Sequence, residues 1–563
     1  MNNKKSSGLG LLRVLHAVIW TGYLNKVRTY RFLVILCLTI IVGYVFVPRS
    51  DAGYVTLAWG SSTTFYRGVY NSAWIGSMVA MLTGAFLSLL GFFIVNDTVK
   101  RDEETRVGQI IATTPLRNSL YMLGNALSNF VVLSTMVVVI IFTALVMQIV
   151  RGENLIIKPW ALMSPFLMFV LPLMFLVGAI AVFFGTRPLL RGGVGNIAYA
   201  FSWMIGLPLL SESIDLFGID RITSSMKAVG LASYPEMAQQ GFILGGSWGL
   251  PQERTLNMFT WQGMNWTPEI IHTPLLLIGL GIAVSLLASL FFYRFDPARE
   301  SKKTSKEPGE HLPDILETEK DKPVQQVISG KPGELIGPVG SLRNVVIRPL
   351  GPEVLRFRFG SVLFAEFRLA LKEMDALPFI GNYGVAVVGA LIITGLLLPI
   401  DTARGILLPV AWLLPVLVWS KMGTREAHHH TDQLVFSSAN SLKHQFPAAY
   451  LAGVALAIFT GSGVACNLAI HADWTGLLAW LIGAFFIPSL AFCLGVWTGS
   501  SKTFEFLYIM LWYLGPINRI ESLDFMGALP GSVETGVGQY YLVITMILLG
   551  LAFLGRKIQM QRK

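Results

Sequence analysis

Long apolar runs, separated by short polar breaks, recur from one end of this chain to the other. A helix needs about 20 mostly apolar residues to cross a hydrocarbon core roughly 30 Å thick. Six runs in the first half approach that length: Tyr30 to Val47, Ala73 to Val95, Leu120 to Val150, Trp160 to Phe184, Ile197 to Leu210 and Ile270 to Tyr293. Six more follow: Leu377 to Ile400, Ile406 to Trp419, Ala448 to Ile470, Trp474 to Val496, Phe504 to Ile517 and Tyr540 to Leu554. The pattern predicts an all-α integral membrane protein of about 12 transmembrane helices. The runs from Tyr30, Ile197, Ile406, Phe504 and Tyr540 are the short ones.

Each set of six is preceded by an amphipathic stretch. Leu363, Phe364, Phe367, Leu371 and Met374 recur at helical spacing, with Glu366, Lys372 and Glu373 elsewhere on the helix. Leu11, Leu12, Leu15, Val18 and Ile19 make a similar stripe near the start. Both suit helices lying in the membrane interface. Between the two sets the composition turns to Lys, Glu, Asp, Pro and Gly, as a flexible linker does. Three segments follow: 1–293, a first six-helix half with the larger outer loops; 294–359, a charged cytoplasmic linker; and 360–563, a second six-helix half.

Sliding one half over the other exposes two gapless matches. Arg101 to Leu116 lies on Arg425 to Asn440, which sets Arg101 on Arg425, Asp102 on Glu426, Gln109 on Gln433, and Thr113 and Thr114 on Ser437 and Ser438. Trp203 to Gly218 lies on Trp512 to Gly527, pairing Glu212 with Glu521 and Asp215 with Asp524. The same order and topological place in both halves predict a 6+6 pseudo-twofold repeat.

Composition agrees with a bilayer as solvent: 53% of residues are hydrophobic and 13% charged, and the mean hydropathy is +0.60. A net charge of +10 raises the question of nucleic acid. Placed on this topology with the N-terminus inside, about nine of the 43 Lys and Arg fall outside, as the positive-inside rule requires. The basicity therefore reports orientation, and no nucleic-acid partner is expected. Both termini are expected on the cytoplasmic side of a cell membrane, and the polar start does not read as a cleavable signal. Cys37, Cys466 and Cys493 show no metal-type spacing and read as small hydrophobes.

The inside loop after the second run carries the most distinctive pattern. Lys100, Arg101, Asp102, Glu103, Glu104 and Arg106 lead into Val107, Gly108, Ile110 and Ile111, then Thr113, Thr114, Pro115 and Leu116. Carboxylates in a first turn followed by a short apolar face predict a docking helix. In this the chain resembles the permeases of the ABC-2 type of ATP-binding-cassette transporters. Their second-helix loop carries an Arg and an acid, then a Gly, an apolar stretch and a small-hydroxyl-Pro ending.

The resemblance implies that Arg101, Asp102, Glu103, Glu104, Gly108 and Pro115, with Arg425 and Glu426 in the second copy, form coupling helices docked on an ATPase. It implies an exporter permease, in a bacterial inner membrane, moved by separate ATP-binding-cassette subunits in two copies. The second copy departs from the pattern, with Asp432 for the Gly, Ala439 for the Pro, and His428, His429 and His430 in its charged run. Asn125 stands where family members often carry a Lys early in the third helix.

A P-loop needs G-x-x-x-x-G-K-[ST], so that backbone amides cradle phosphate. The fragments at Gly499 to Thr503 and at Gly330 and Lys331 lack that spacing. ATP and Mg²⁺ therefore belong to the partner, and no cofactor or enzyme activity is expected of this chain itself. Three adjacent His side chains point about 100° apart on a helix and do not share a metal readily. Glu212, Asp215, Glu521 and Asp524 either ring an outer mouth or cap the turning chain. Two rival classes are a secondary carrier of major-facilitator-like 6+6 architecture and a non-transporting scaffold or membrane enzyme. The scarcity of ionisable residues within the runs speaks against a proton relay. Nothing in the sequence names the substrate.

Overall fold

In a computed structural model of the chain, residues 2–49, 54–60, 64–187, 190–211, 215–248, 255–292, 359–375, 384–429, 431–436 and 441–561 are described. The predicted linker, apart from Phe359, lies outside them.

Among the described residues, each predicted run falls largely on helix; residues 377–383 of the seventh run lie outside them. In the first half these are α1 (Asn2–Val27), α2 (Tyr30–Phe46), α3 (Ser72–Val95), α4 (Thr98–Glu104), α5 (Val107–Thr113), α6 (Asn118–Arg151), α7 (Pro159–Pro165), α8 (Leu171–Thr186), α9 (Gly193–Ser211), α10 (Ile219–Ser233) and α11 (Pro268–Phe291). In the second they are α12 (Phe359–Asp375), α13 (Gly384–Leu397), α14 (Leu408–Leu413), α15 (Val416–Trp419), α16 (Arg425–His428), α17 (Asp432–Phe436), α18 (Ser441–Ile470), α19 (Trp474–Thr498), α20 (Ser501–Trp512) and α21 (Val537–Gln561). Among the described residues, 7 helices are long and apolar enough to cross a membrane. The chain is a helical multi-pass membrane protein. The Tyr540 run proves to be the middle of a helix of 25 residues. The Ile406 run is broken, because Pro415 lacks the N–H that would carry α14 into α15.

The helices pack in the same order in both halves. The interfacial helix lies on the long third one, α1 on α6 and α12 on α18; α2 and α13 lean on the same partners. α6 then packs on α8 and α18 on α19, while α11 closes on α8 and α21 on α19. Close approach depends on small residues, as it does where lipid offers no hydrophobic drive between helices. A Cβ on Gly395 of α13 would stand 2.9 Å from the Gly463 carbonyl carbon of α18.

One addition departs from the all-α expectation. Strands β1 (Tyr54–Gly60), β2 (Thr64–Gly68), β3 (Phe242–Trp248) and β4 (Thr255–Phe259) form one sheet in the order β3-β1-β2-β4. β1 pairs antiparallel with β2 and β3, with Trp59 opposite both Tyr66 and Phe242, and β2 runs parallel to β4. The segments between α2 and α3 and between α10 and α11 thus fold together as a cap over the start of α3. Asn71 caps that helix by accepting the Trp74 N–H at 2.9 Å, and its amide donates to the Trp261 carbonyl at 2.8 Å.

Candidate functional site

The loop after α3 turns through α4 and α5, with Arg106 between them in the left-handed region at φ 59. Arg101, Asp102 and Glu103 face the body of the protein. The Arg101 guanidinium donates to the Asn25 carbonyl at 3.1 Å, Tyr121 donates to Asp102, and Arg191 pairs with Glu103. Glu104 ends α4. Gly108 is buried, and Ile111 and Leu116 pack beside Tyr121 and Phe292. Apolar side chains are among those that face outward: Val107 is 42% exposed and Ile110 67%, beside exposed Arg106, Gln109, Thr113, Thr114 and Pro115.

The second loop has the same two-helix form in α16 and α17, and its charges are fastened harder. Arg425 reaches Glu366 at 3.1 Å and Glu373 at 3.2 Å on α12. Glu426 receives Arg556 of α21 at 2.6 Å and the Gln445 amide at 3.1 Å. Glu366 and Glu373 therefore turn toward the body, while Phe364 of the apolar stripe is exposed. Burial raises the Glu366 carboxyl above its ordinary range despite the pull of Arg425. Asp432, at the place of Gly108, is buried. His428 and His429 lie ring to ring at 5.1 Å, and His430 lies outside the described residues. Among the described residues, no three His, Cys, Asp or Glu gather as a metal site would need.

Lys26, at the end of α1, anchors the first loop from within. Its ammonium donates to Thr98 at 2.8 Å and to Asn129. Burial, reinforced by nearby Arg101, brings it down to about 7. An unfolded Lys keeps its proton to about pH 10.4, so the unfolded chain binds more protons between these values and stability rises with pH there. The melting temperature in detergent is expected to climb from pH 7 to pH 10, and Lys26→Met is expected to flatten that slope.

The registers of the two sequence matches, carried further along the chain, meet in the contacts. The first sets Ser88 on Trp412 and Tyr121 on Gln445; the second sets Tyr199 on Tyr508. Tyr199 donates to the Ser88 carbonyl at 2.8 Å and Tyr508 to the Trp412 carbonyl at 3.0 Å. Trp512 donates to the Pro409 carbonyl at 2.9 Å. Trp203 reaches the corresponding Ala85 carbonyl through the Ser88 hydroxyl, each bond being 2.8 Å. Asp102 with Tyr121 repeats as Glu426 with Gln445. Gly218 and Gly527, also equivalent, both hold the left-handed conformation at φ 71 and 69 that glycine accepts without strain.

At the outer ends, Asp524 is buried and accepts the N–H groups of Ala528 at 3.0 Å and Leu529 at 2.8 Å, with the Ser532 hydroxyl at 2.5 Å. Asp215 accepts the Arg221 N–H at 3.0 Å, and burial raises its carboxyl. Glu521 sits in a short 3-10 turn beside Gly531. Glu212 lies outside the described residues.

A cluster that the sequence reading passed over joins the halves where α3, α9, α15 and α20 meet. Asn96 donates to Asn196 at 2.9 Å, and Asn196 to Glu505 at 2.5 Å. The Ser420 hydroxyl, which donates to the Leu417 carbonyl at 3.0 Å, lies beside the same carboxylate. Lys502 pairs with Asp97 at 2.7 Å across the seam. The registers make Asn96 the counterpart of Ser420 and Asn196 the counterpart of Glu505. Compared with family models, curated proteins and solved structures, the chain matches none.

Proposed function

We propose that this chain is the permease of an ATP-binding-cassette exporter of the ABC-2 type. Its twelve helices form two duplicated six-helix halves in a bacterial inner membrane, both termini are cytoplasmic, and separate ATPase subunits dock on the loops after the second helix of each half. The observation that carries the reading is the pair of two-helix loops at register-equivalent places, one of which presents an apolar ridge of Val107, Ile110 and Pro115 while Arg101, Asp102 and Glu103 are tied inward. A loop exposed to water alone gains nothing from such a ridge; a groove on a partner would cover it. The repeated Tyr and Trp hydrogen bonds support the duplication.

In this reading the α4 charges hold the segment in place and transmit movement to α1, α6 and α9, and the α5 ridge makes the contact. Co-purification of the chain with an ATP-binding-cassette subunit is expected, and Ile110→Asp or charge reversal at Arg101 to Glu104 is expected to lose it. Proteoliposomes in which the chain moves substrate on an ion gradient, with no ATPase present, would instead establish a secondary carrier.

A further inference from the structure

Glu505 is 2% exposed and lies where its helix turns from polar Ser501, Lys502 and Thr503 to an apolar stretch, on the line where the halves meet their own register equivalents. Its neighbours are amides and a hydroxyl. Lys502, one turn earlier and the nearest base on its own helix, is paired with Asp97. Lys26, the other base near that pair, is held by Thr98 and Asn129. Among the described residues Glu505 therefore has no ion-pair partner of its own. A carboxylate buried without a cation is costly, and an ionisable group facing the interior of a membrane bundle marks a functional site. Beside the cluster the seam is aromatic: Phe506 meets Phe93 at 5.6 Å and Phe86 at 6.5 Å between ring centroids.

We infer that Glu505 is the recognition group for a cationic, largely apolar substrate, entering where α3, α9, α15 and α20 meet and sealed off by the Asn96, Asn196 and Asp97–Lys502 contacts. This rests on the permease reading. As the halves part, Glu505 loses Asn196 and faces the opening; an organic cation supplies the charge it lacks, and the Phe faces take both its apolar body and its charge. Asn196 on the opposite side offers an amide, so the site is charged on one wall only.

The test is equilibrium binding to the full chain in detergent micelles, using tetraphenylphosphonium and the anion of matching shape, tetraphenylborate. The phosphonium is expected to bind the tighter of the two. Glu505→Gln, which keeps an acceptor for Asn196, is expected to weaken phosphonium binding at least tenfold and to leave the borate unchanged. Glu505→Asp keeps the charge and should keep the preference for the cation, which guards against a folding defect in the first variant. Asp97→Asn, which frees Lys502 to neutralise Glu505, is expected to lower phosphonium affinity. Equal phosphonium binding by wild type and Glu505→Gln, or no phosphonium binding by the wild type, overturns the inference. A chain that binds the cation through Glu505 yet never co-purifies with an ATPase loses the permease reading alone.

Discussion

Arg556→Met is expected to destabilise the second half by about 3–5 kcal/mol, the cost of leaving a buried charge without its partner. Glu426 is 12% exposed and Arg556 5%, with the guanidinium 2.6 Å from the carboxylate and 4.8 Å above the Phe436 ring. Once the cation is gone, only the Gln445 amide still holds the carboxylate. Removing both charges, as Arg556→Met with Glu426→Gln, is expected to recover most of the loss, since a neutral pair carries no stranded charge. Urea unfolding in micelles, with hydrogen exchange over α16 and α17, separates the two outcomes. Equal losses in the single and double variants would show that Arg556 acts by packing alone. Glu103 with Arg191 is more exposed and is worth less, about 0–1 kcal/mol. The asymmetry bears on coupling: α16 is bound to α12 and α21 by ion pairs, whereas α4 and α5 are held by lighter contacts and present the apolar ridge. On the proposed function, the second loop is the fixed footing and the first is the moving one.

The helices were legible because an apolar run of span length needs no partner to declare itself. The proposed duplication rests on two short strings, and the registers they set reach Tyr199, Tyr508, Asn196 and Glu505 when extended along the sequence. The sheet was not legible. Val55, Leu57 and Trp59 alternate as a strand does, but their partners in β3 lie at the far end of the first half, and pairing at that separation leaves no local periodicity. The inward turn of Glu366 and Glu373 was not legible for a related reason. An amphipathic stripe sends charges outward by default, and only Arg425, brought in from another loop, makes the inward face the better one. Glu505 escaped because one carboxylate near the start of an apolar run reads as a boundary residue.

The cap gives the second large effect, and it is directional. Glu153→Gln is expected to cost about 3–5 kcal/mol, because it strands Arg67, which is 1% exposed. Arg67→Met is expected to cost less, since Glu153 remains 24% exposed and water can solvate it. Arg67 donates to Glu153 at 2.8 Å and to the Gly68 carbonyl at 2.9 Å, and lies 3.9 Å over the Tyr70 ring. Glu153 also accepts the Tyr70 N–H at 2.9 Å, so one carboxylate ties the end of β2 to the end of α6. Burial alone would raise that carboxyl; the Arg67 and Tyr70 bonds outweigh it and hold it below the usual range. The folded value is therefore the lower one. The stabilisation is complete above the unfolded value of about 4.3 and is lost as pH falls through the folded value. Hydrogen exchange in β1 and β2 is expected to accelerate on acidification below about pH 4 in the wild type and to be fast at every pH in Glu153→Gln. If the strands of that variant stay protected at pH 7, the sheet is held by its aromatic contacts with Trp74, and the ion pair only orients it.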